Sequence, residues 1–300
     1  MARRQPAGPA ALAPTVICAI DQYLPTQERV VHDRLALRVL PPAARLAVRA
    51  CRCAPVRALA ERACERRAPG LWAGTLCRRR YGDEKVAQAV AEGIGQVVVL
   101  GAGLDTRACR LVVPAGVPAF EVDLPGGAVR KRLRLKRALG RVPVGLRLVA
   151  VDAEAPSLAA ALDAAGYSPG RTALFVWEPS GRGALRDAAE AQVRAVLGAL
   201  SAAAPGSRLL FTYPLRQDRR RADRGGETAP EASEASRPRR RAGPEPGLPA
   251  GRVGALLGEY GWRVCEQAAG PGLAERYLRA AGREGVQVPQ GEASVYAVKR

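Results

Sequence analysis

Residues 97 to 106 read Val-Val-Val-Leu-Gly-Ala-Gly-Leu-Asp-Thr, and no other stretch restricts the fold as tightly. A short apolar run dominated by β-branched residues suits a strand buried on both faces. The Gly-x-Gly after it suits a tight turn at which backbone can approach a ligand. The expectation is an α/β fold that binds a small molecule.

Downstream the chain alternates strand and helix patterns: Ala119 to Asp123, Gly126 to Leu139, Leu146 to Val151, Ser157 to Ala165, Thr172 to Trp177, Leu185 to Ala203 and Arg208 to Tyr213. The rhythm predicts a doubly wound, mostly parallel sheet with helices on both faces. It resumes with a helix near Arg252 to Tyr260, a strand at Trp262 to Ala268, a helix near Leu273 to Ala281 and a strand at Ala293 to Val298. Ligands of such sheets sit at the carboxyl ends of the strands, so the residues that end strands matter most.

Upstream, Ile17, Ile20, Tyr23 and Leu24, then Val30, Val31, Leu35 and Leu37, recur at helical spacing. Pro41-Pro42 starts another helix, and Arg45 to Arg67 continues with an interruption at Pro55. The expected division is an N-terminal arm and helical cap over 1–91 and an α/β domain over 92–300. Within the latter, the Arg-, Glu-, Ser- and Pro-rich stretch 216–249 reads as a mobile insertion. Pro6, Pro9 and Pro14 are expected to break the run from Gln5 to Ile20 as a helix, giving a flexible arm and not a secretory signal.

The formal charge of +19 raises nucleic acid as a partner, but almost all of it is arginine. Only Lys85, Lys131, Lys136 and Lys299 are lysines, in a chain equally loaded with Ala, Gly and Pro, which is what a GC-rich coding sequence produces without selection for a partner. Nucleic-acid binding is therefore disfavoured. The seven cysteines show no Cys-x2-Cys spacing, so neither a metal site nor a disulfide framework is expected, and a reducing compartment is. No uncharged apolar run is long enough for a membrane span, which predicts a soluble, cytoplasmic protein.

The dinucleotide fingerprint asks for a third glycine where this chain has Thr106, and Asp105 would set a negative charge beside any phosphate bound there. A sulfonium cofactor has no phosphate to repel. Leu100-Gly101-Ala102-Gly103-Leu104-Asp105-Thr106-Arg107 resembles the glycine motif of the S-adenosylmethionine-dependent methyltransferases related to leucine carboxyl methyltransferase, including bacterial polyketide O-methyltransferase-like members. Phe120-Glu121-Val122-Asp123-Leu124-Pro125 followed by Lys131, Arg78-x-Arg80-Tyr81, Trp177-Glu178, Phe211-Thr212-Tyr213 and Val295-Tyr296-Ala297 fall in that family's order. The resemblance implies a class I methyltransferase-like, seven-stranded, mostly parallel sheet under an N-terminal helical cap. It implies S-adenosyl-L-methionine as cofactor, with Gly101 and Gly103 at the turn, and methyl transfer to a carboxylate or hydroxyl of a small-molecule acceptor.

Asp123, ending the second strand, can accept from both ribose hydroxyls, with Glu121 on the same face as its rival. Asp152 and the amide of Ala153 are placed to meet adenine, unless Asp152 only caps the next helix. The resemblance suggests Glu178 for the cofactor's ammonium. An arginine fork at Arg78 or Arg80 suits its carboxylate. A carboxylate acceptor needs no general base; a hydroxyl acceptor does, and Tyr213, Glu178 and His32 are the candidates. His32, the only histidine, reads more readily as structural. Pro179 to Gly183 and Cys109 depart from the family pattern, which keeps a degenerate, non-catalytic cofactor- or protein-binding member as the alternative, with an RNA-binding or RNA-modifying role behind it. Neither the acceptor nor the oligomeric state is written in these residues.

Overall fold

The computed structural model describes residues 9–151, 158–178, 189–215, 247–248, 250–283, 285–286, 288 and 291–300. The insertion expected over 216–249 lies almost wholly outside them.

The N-terminal part is helical: α1 (Pro9–Asp21), α2 (Ala36–Val39), α3 (Pro42–Ala50), α4 (Ala54–Arg67) and α5 (Leu71–Ala91). Pro42 and Pro55 occupy the first or second positions of α3 and α4, where the missing N–H costs nothing, so Pro55 helps to begin a helix. Pro14 departs from expectation. It lies inside α1, which starts at Pro9, so the predicted break and flexible arm do not hold over these residues. Burial of Ile17, Cys18, Ala19 and Ile20 in the core offsets the hydrogen bond that Pro14 cannot make.

The remaining elements follow as β1 (Gln96–Leu100), β2 (Ala119–Asp123), α6 (Pro125–Leu139), β3 (Leu146–Ala150), α7 (Leu158–Ala164), β4 (Ala173–Trp177), α8 (Ala189–Ala199), β5 (Arg208–Pro214), α9 (Val253–Glu259), β6 (Trp262–Ala269), α10 (Gly270–Tyr277) and β7 (Glu292–Lys299). They form one seven-stranded sheet in the order β3-β2-β1-β4-β5-β7-β6, parallel except for β7, which runs antiparallel to β5 and β6. The doubly wound sheet is the one expected. Its order reverses between β1 and β4, so the switch point lies beside the Gly101–Gly103 turn.

β1 is buried along its whole length because it packs on both faces. Val97 and Val99 join a core shared with α1, α2, α5, α6 and α10, so cap and sheet are continuous. Val98 and Leu100 join the opposite core, beneath α7, α8 and α9. That second core holds most of the chain's few aromatics. Trp177 stacks on Phe211 at 4.6 Å between ring centroids and Phe211 on Tyr213 at 5.5 Å, while Phe175 meets Trp262 edge-on at 6.1 Å. Phe211, fully buried between two rings, is expected to cost about 3–5 kcal/mol on replacement by Ala in chemical denaturation. A loss below about 1 kcal/mol would mean that this stack carries little of the far-side core.

Candidate cofactor site

The turn after β1 takes its shape from Gly101 and Gly103, whose φ values of 66° and 51° lie in the left-handed region that residues with a Cβ avoid. Across from it, Asp123 ends β2. Its Oδ2 accepts a hydrogen bond from Gly103 N at 3.0 Å and its Oδ1 one from Leu124 N at 2.8 Å. A Cβ at Gly127, in the first turn of α6, would fall within 2.6 Å of both Asp123 carboxylate oxygens, so this position needs glycine for the carboxylate to lie where it does.

Glu121, the rival to Asp123, sits elsewhere. It is buried under the turn and paired at 2.9 Å with Lys131, whose ammonium also donates to the Asp105 carbonyl. Burial raises the Glu121 carboxyl from its ordinary range, with Lys131 opposing the rise. The pair braces the loop from below, while Asp123 stands half-buried at its rim.

Arg107 organises the other side. Its buried guanidinium meets Asp83 at 2.9 Å, Asp105 at 3.0 Å and Glu178 at 2.9 Å, and donates to the Arg79 carbonyl at 3.2 Å. Burial works against each of these charges. For Asp105 it is outweighed by Arg107 and Arg79, which hold the carboxyl well below the usual range. For Arg107 it is outweighed by Glu178, Asp105 and Asp83, which keep the guanidinium protonated. Gly82 makes this convergence possible: a Cβ there would run into the Arg107 guanidinium and come within 2.8 Å of Glu178 Oε1. Arg110 extends the network to the cap, reaching Asp83 at 2.8 Å, Asp33 at 3.2 Å and the His32 carbonyl at 3.0 Å. Thr106 Oγ1 donates to Asp33 Oδ2 at 2.6 Å.

A cleft opens at the switch point between the glycine turn, Val176 and Glu178, with Pro14 and Thr15 of α1 and Arg79 of α5 on its other walls. Glu178 follows the end of β4. Its Oε2 takes Arg107, while its Oε1 is buried with no hydrogen-bond partner. An acceptor held this way suits a cationic donor on a ligand.

Arg78, favoured from sequence, pairs with Glu292 at the start of β7. Arg79 is the arginine on the cleft, 2.6 Å from Asp105 and 3.6 Å from Glu178. The sequence signal for it was Gly82, three residues on and hence on the same face of α5, a glycine inside a helix that marks a close approach. Pro14 and Thr15 carry no binding motif, and Pro14 reads as a helix breaker, so the sequence does not single them out as walls of the cleft. Asp152, Ala153 and Pro179 to Gly183 lie outside the described residues. Tyr213 is buried in the far-side core, its hydroxyl accepting from Gln267 at 2.9 Å and its pKa pushed up to about 12 by that burial. His32 is exposed, with its pKa lowered by partial burial and by the charges of Arg80 and Arg29. All seven cysteines are free thiols, and among the described residues no cluster of His, Cys, Asp and Glu could hold a metal.

Residues 11–180, more than half of the chain, match the family model described as leucine carboxyl methyltransferase. The chain belongs to the leucine carboxyl methyltransferase family. A relative from Mycobacterium avium (strain 104), named as a candidate S-adenosyl-L-methionine-dependent methyltransferase, is 40% identical over 137 residues, which is 46% of this chain and 42% of the relative. One from Mycolicibacterium smegmatis (strain ATCC 700084 / mc(2)155), named likewise, is 41% identical over 133 residues, 44% of this chain and 43% of the relative. The chain thus spans less than half the length of the curated relatives it matches. A crystal structure of a candidate methyltransferase from Thermobifida fusca YX is 18% identical with a TM-score of 0.48, covering 82% of this chain and 88% of that one.

Within this family member, Arg107→Met should leave Asp83, Asp105 and Glu178 short of a counter-charge and cost about 3–5 kcal/mol in chemical denaturation. A cost under about 1 kcal/mol would show that Arg107 is not the hub. The low Asp105 pKa also fixes the sign of an acid effect. A carboxyl whose folded value lies below its unfolded 3.8 stabilises the fold fully above that pH, and the contribution drains away as pH falls towards the folded value. Asp105→Asn should therefore flatten the fall in stability on acidification below 3.8, as followed by denaturation at a series of pH values; an unchanged profile would contradict it.

Proposed function

We propose that the chain is an S-adenosylmethionine-dependent O-methyltransferase acting on a carboxylate or hydroxyl of a small-molecule acceptor. The observation that carries the proposal is the unpartnered, buried Oε1 of Glu178, a residue that lines the cleft together with the glycine turn. The cofactor named for the relatives has matching ends: ribose hydroxyls for Asp123, and an ammonium for Glu178 Oε1. Gly101 and Gly103 leave backbone open between them. For the cofactor's carboxylate we assign Arg79 in place of Arg78, since Arg79 lies on the cleft and Arg78 is committed to Glu292. Asp152 and Ala153 keep their sequence-based assignment to adenine.

S-adenosylmethionine supplies an electrophilic methyl group on a sulfonium. The chain's own work is then to align an acceptor oxygen with that carbon and to keep water out, for which α1 supplies a wall through Pro14 and Thr15. A carboxylate acceptor asks for no base, which agrees with the engagement of Glu178 by Arg107 and of Tyr213 by Gln267. A hydroxyl acceptor would need a base, and His32 does not line the cleft.

A second proposal, a cofactor-binding member without turnover, draws on Arg79, which already pairs with Asp105 and Glu178 on the cleft. Calorimetry with S-adenosylhomocysteine tests what the two share. Binding is expected, weakened roughly tenfold or more by Asp123→Ala, which removes charged hydrogen bonds worth about 1.5–3 kcal/mol. Absence of binding by the folded protein would overturn both, and methyl transfer to any acceptor in a metabolite extract would reject the second.

A further inference from the structure

We propose that the outer face of α6 docks on an anionic lipid bilayer. Val129, Arg132, Leu133, Lys136 and Arg137 fall three and four residues apart on one stripe of the helix, and all five are exposed. The aliphatic members are unusually bare, Val129 at 57% and Leu133 at 52%. Leu124 before the helix and Val144 after it are exposed at 60% and 78%. The opposite side of α6 is fully used, with Leu135 and Ala138 in the cap-side core and Lys131 braced under the glycine turn. The helix is thus fixed in place from its inner side, and its outer stripe is exposed.

Charge identifies the occupant. No acidic residue occurs between Leu124 and Arg147, whereas Arg130, Arg134, Arg141 and Arg147 add to the basic members of the stripe. Arg134 feels the crowding: partial burial, then Arg130 and Arg137, lower its pKa. A second copy of a chain carrying +19 would meet this face with like charge. Nucleic acid would satisfy the arginines but not the bare aliphatics, and no aromatic residue lies between Leu124 and Arg147 to stack on a base. A bilayer with anionic headgroups satisfies both, since phosphates take the arginines while Val129 and Leu133 enter the acyl boundary. This inference is independent of the methyl-transfer proposal.

Co-sedimentation of the full chain with phosphatidylcholine vesicles, with and without phosphatidylglycerol, tests the proposal. Binding is expected only with phosphatidylglycerol and should fall with added salt, since each neutralised arginine near such a surface weakens partitioning roughly fivefold. Val129→Ser with Leu133→Ser, and separately Arg132→Ala with Arg137→Ala, should each reduce binding; both pairs are exposed, and thermal melts are the check that each variant is folded. No binding, equal binding to both vesicle types, or serine variants that bind vesicles unchanged would overturn the proposal. So would an RNA oligonucleotide whose binding survives the serine pair, falls with the alanine pair and exceeds that to vesicles.

Discussion

The site depends on a buried charge cluster centred on Arg107. One guanidinium, reached from the glycine loop, ties together α5 through Asp83, the loop itself through Asp105 and the end of β4 through Glu178. These elements lie far apart in sequence, and a buried arginine of this kind is tolerable only because its partners neutralise it from several directions. The same cluster holds one oxygen of Glu178 while leaving the other without a partner. Structure and proposed chemistry therefore share one arrangement, and a substitution that disturbs the first also disturbs the second.

A second brace works from below. Lys131 and Glu121 are almost fully buried beneath the turn, and Lys131 grips the Asp105 carbonyl. The turn is thus held by a charge cluster on one side and an ion pair underneath, while Asp123 fixes it from the end of the neighbouring strand β2 through Gly103 N. Arg110 and Thr106 carry the connection to the cap through Asp33 and the His32 carbonyl, so the loop after the glycine turn and this part of the cap share one polar network.

Much of this was legible in the sequence. Buried parallel strands are nearly continuous apolar runs, so β1, β2 and β4 stood out, and β2 runs over the residues expected of it. What escaped were facts of helical phase and distant contact. Arg78, Arg79 and Arg80 are consecutive, and their composition does not say which one faces the cleft; the packing of α5 on the glycine loop decides it. Pro14 looked like a stop because local propensity disfavours proline within a helix, yet burial of the residues after it prevails. Glu121 and Asp123 share a strand face, and only the position of Lys131 shows which one lies under the loop.

The central claim is that the glycine turn, Asp123 and Glu178 form one cofactor site. A crystal structure of the chain with S-adenosylhomocysteine tests it most directly. The expected result places the ribose hydroxyls on Asp123 and the ammonium on Glu178 Oε1, with Arg79 turned from Glu178 to the ligand's carboxylate. Ligand bound away from the switch point, or Arg79 still paired with Glu178 and the ammonium elsewhere, would contradict it.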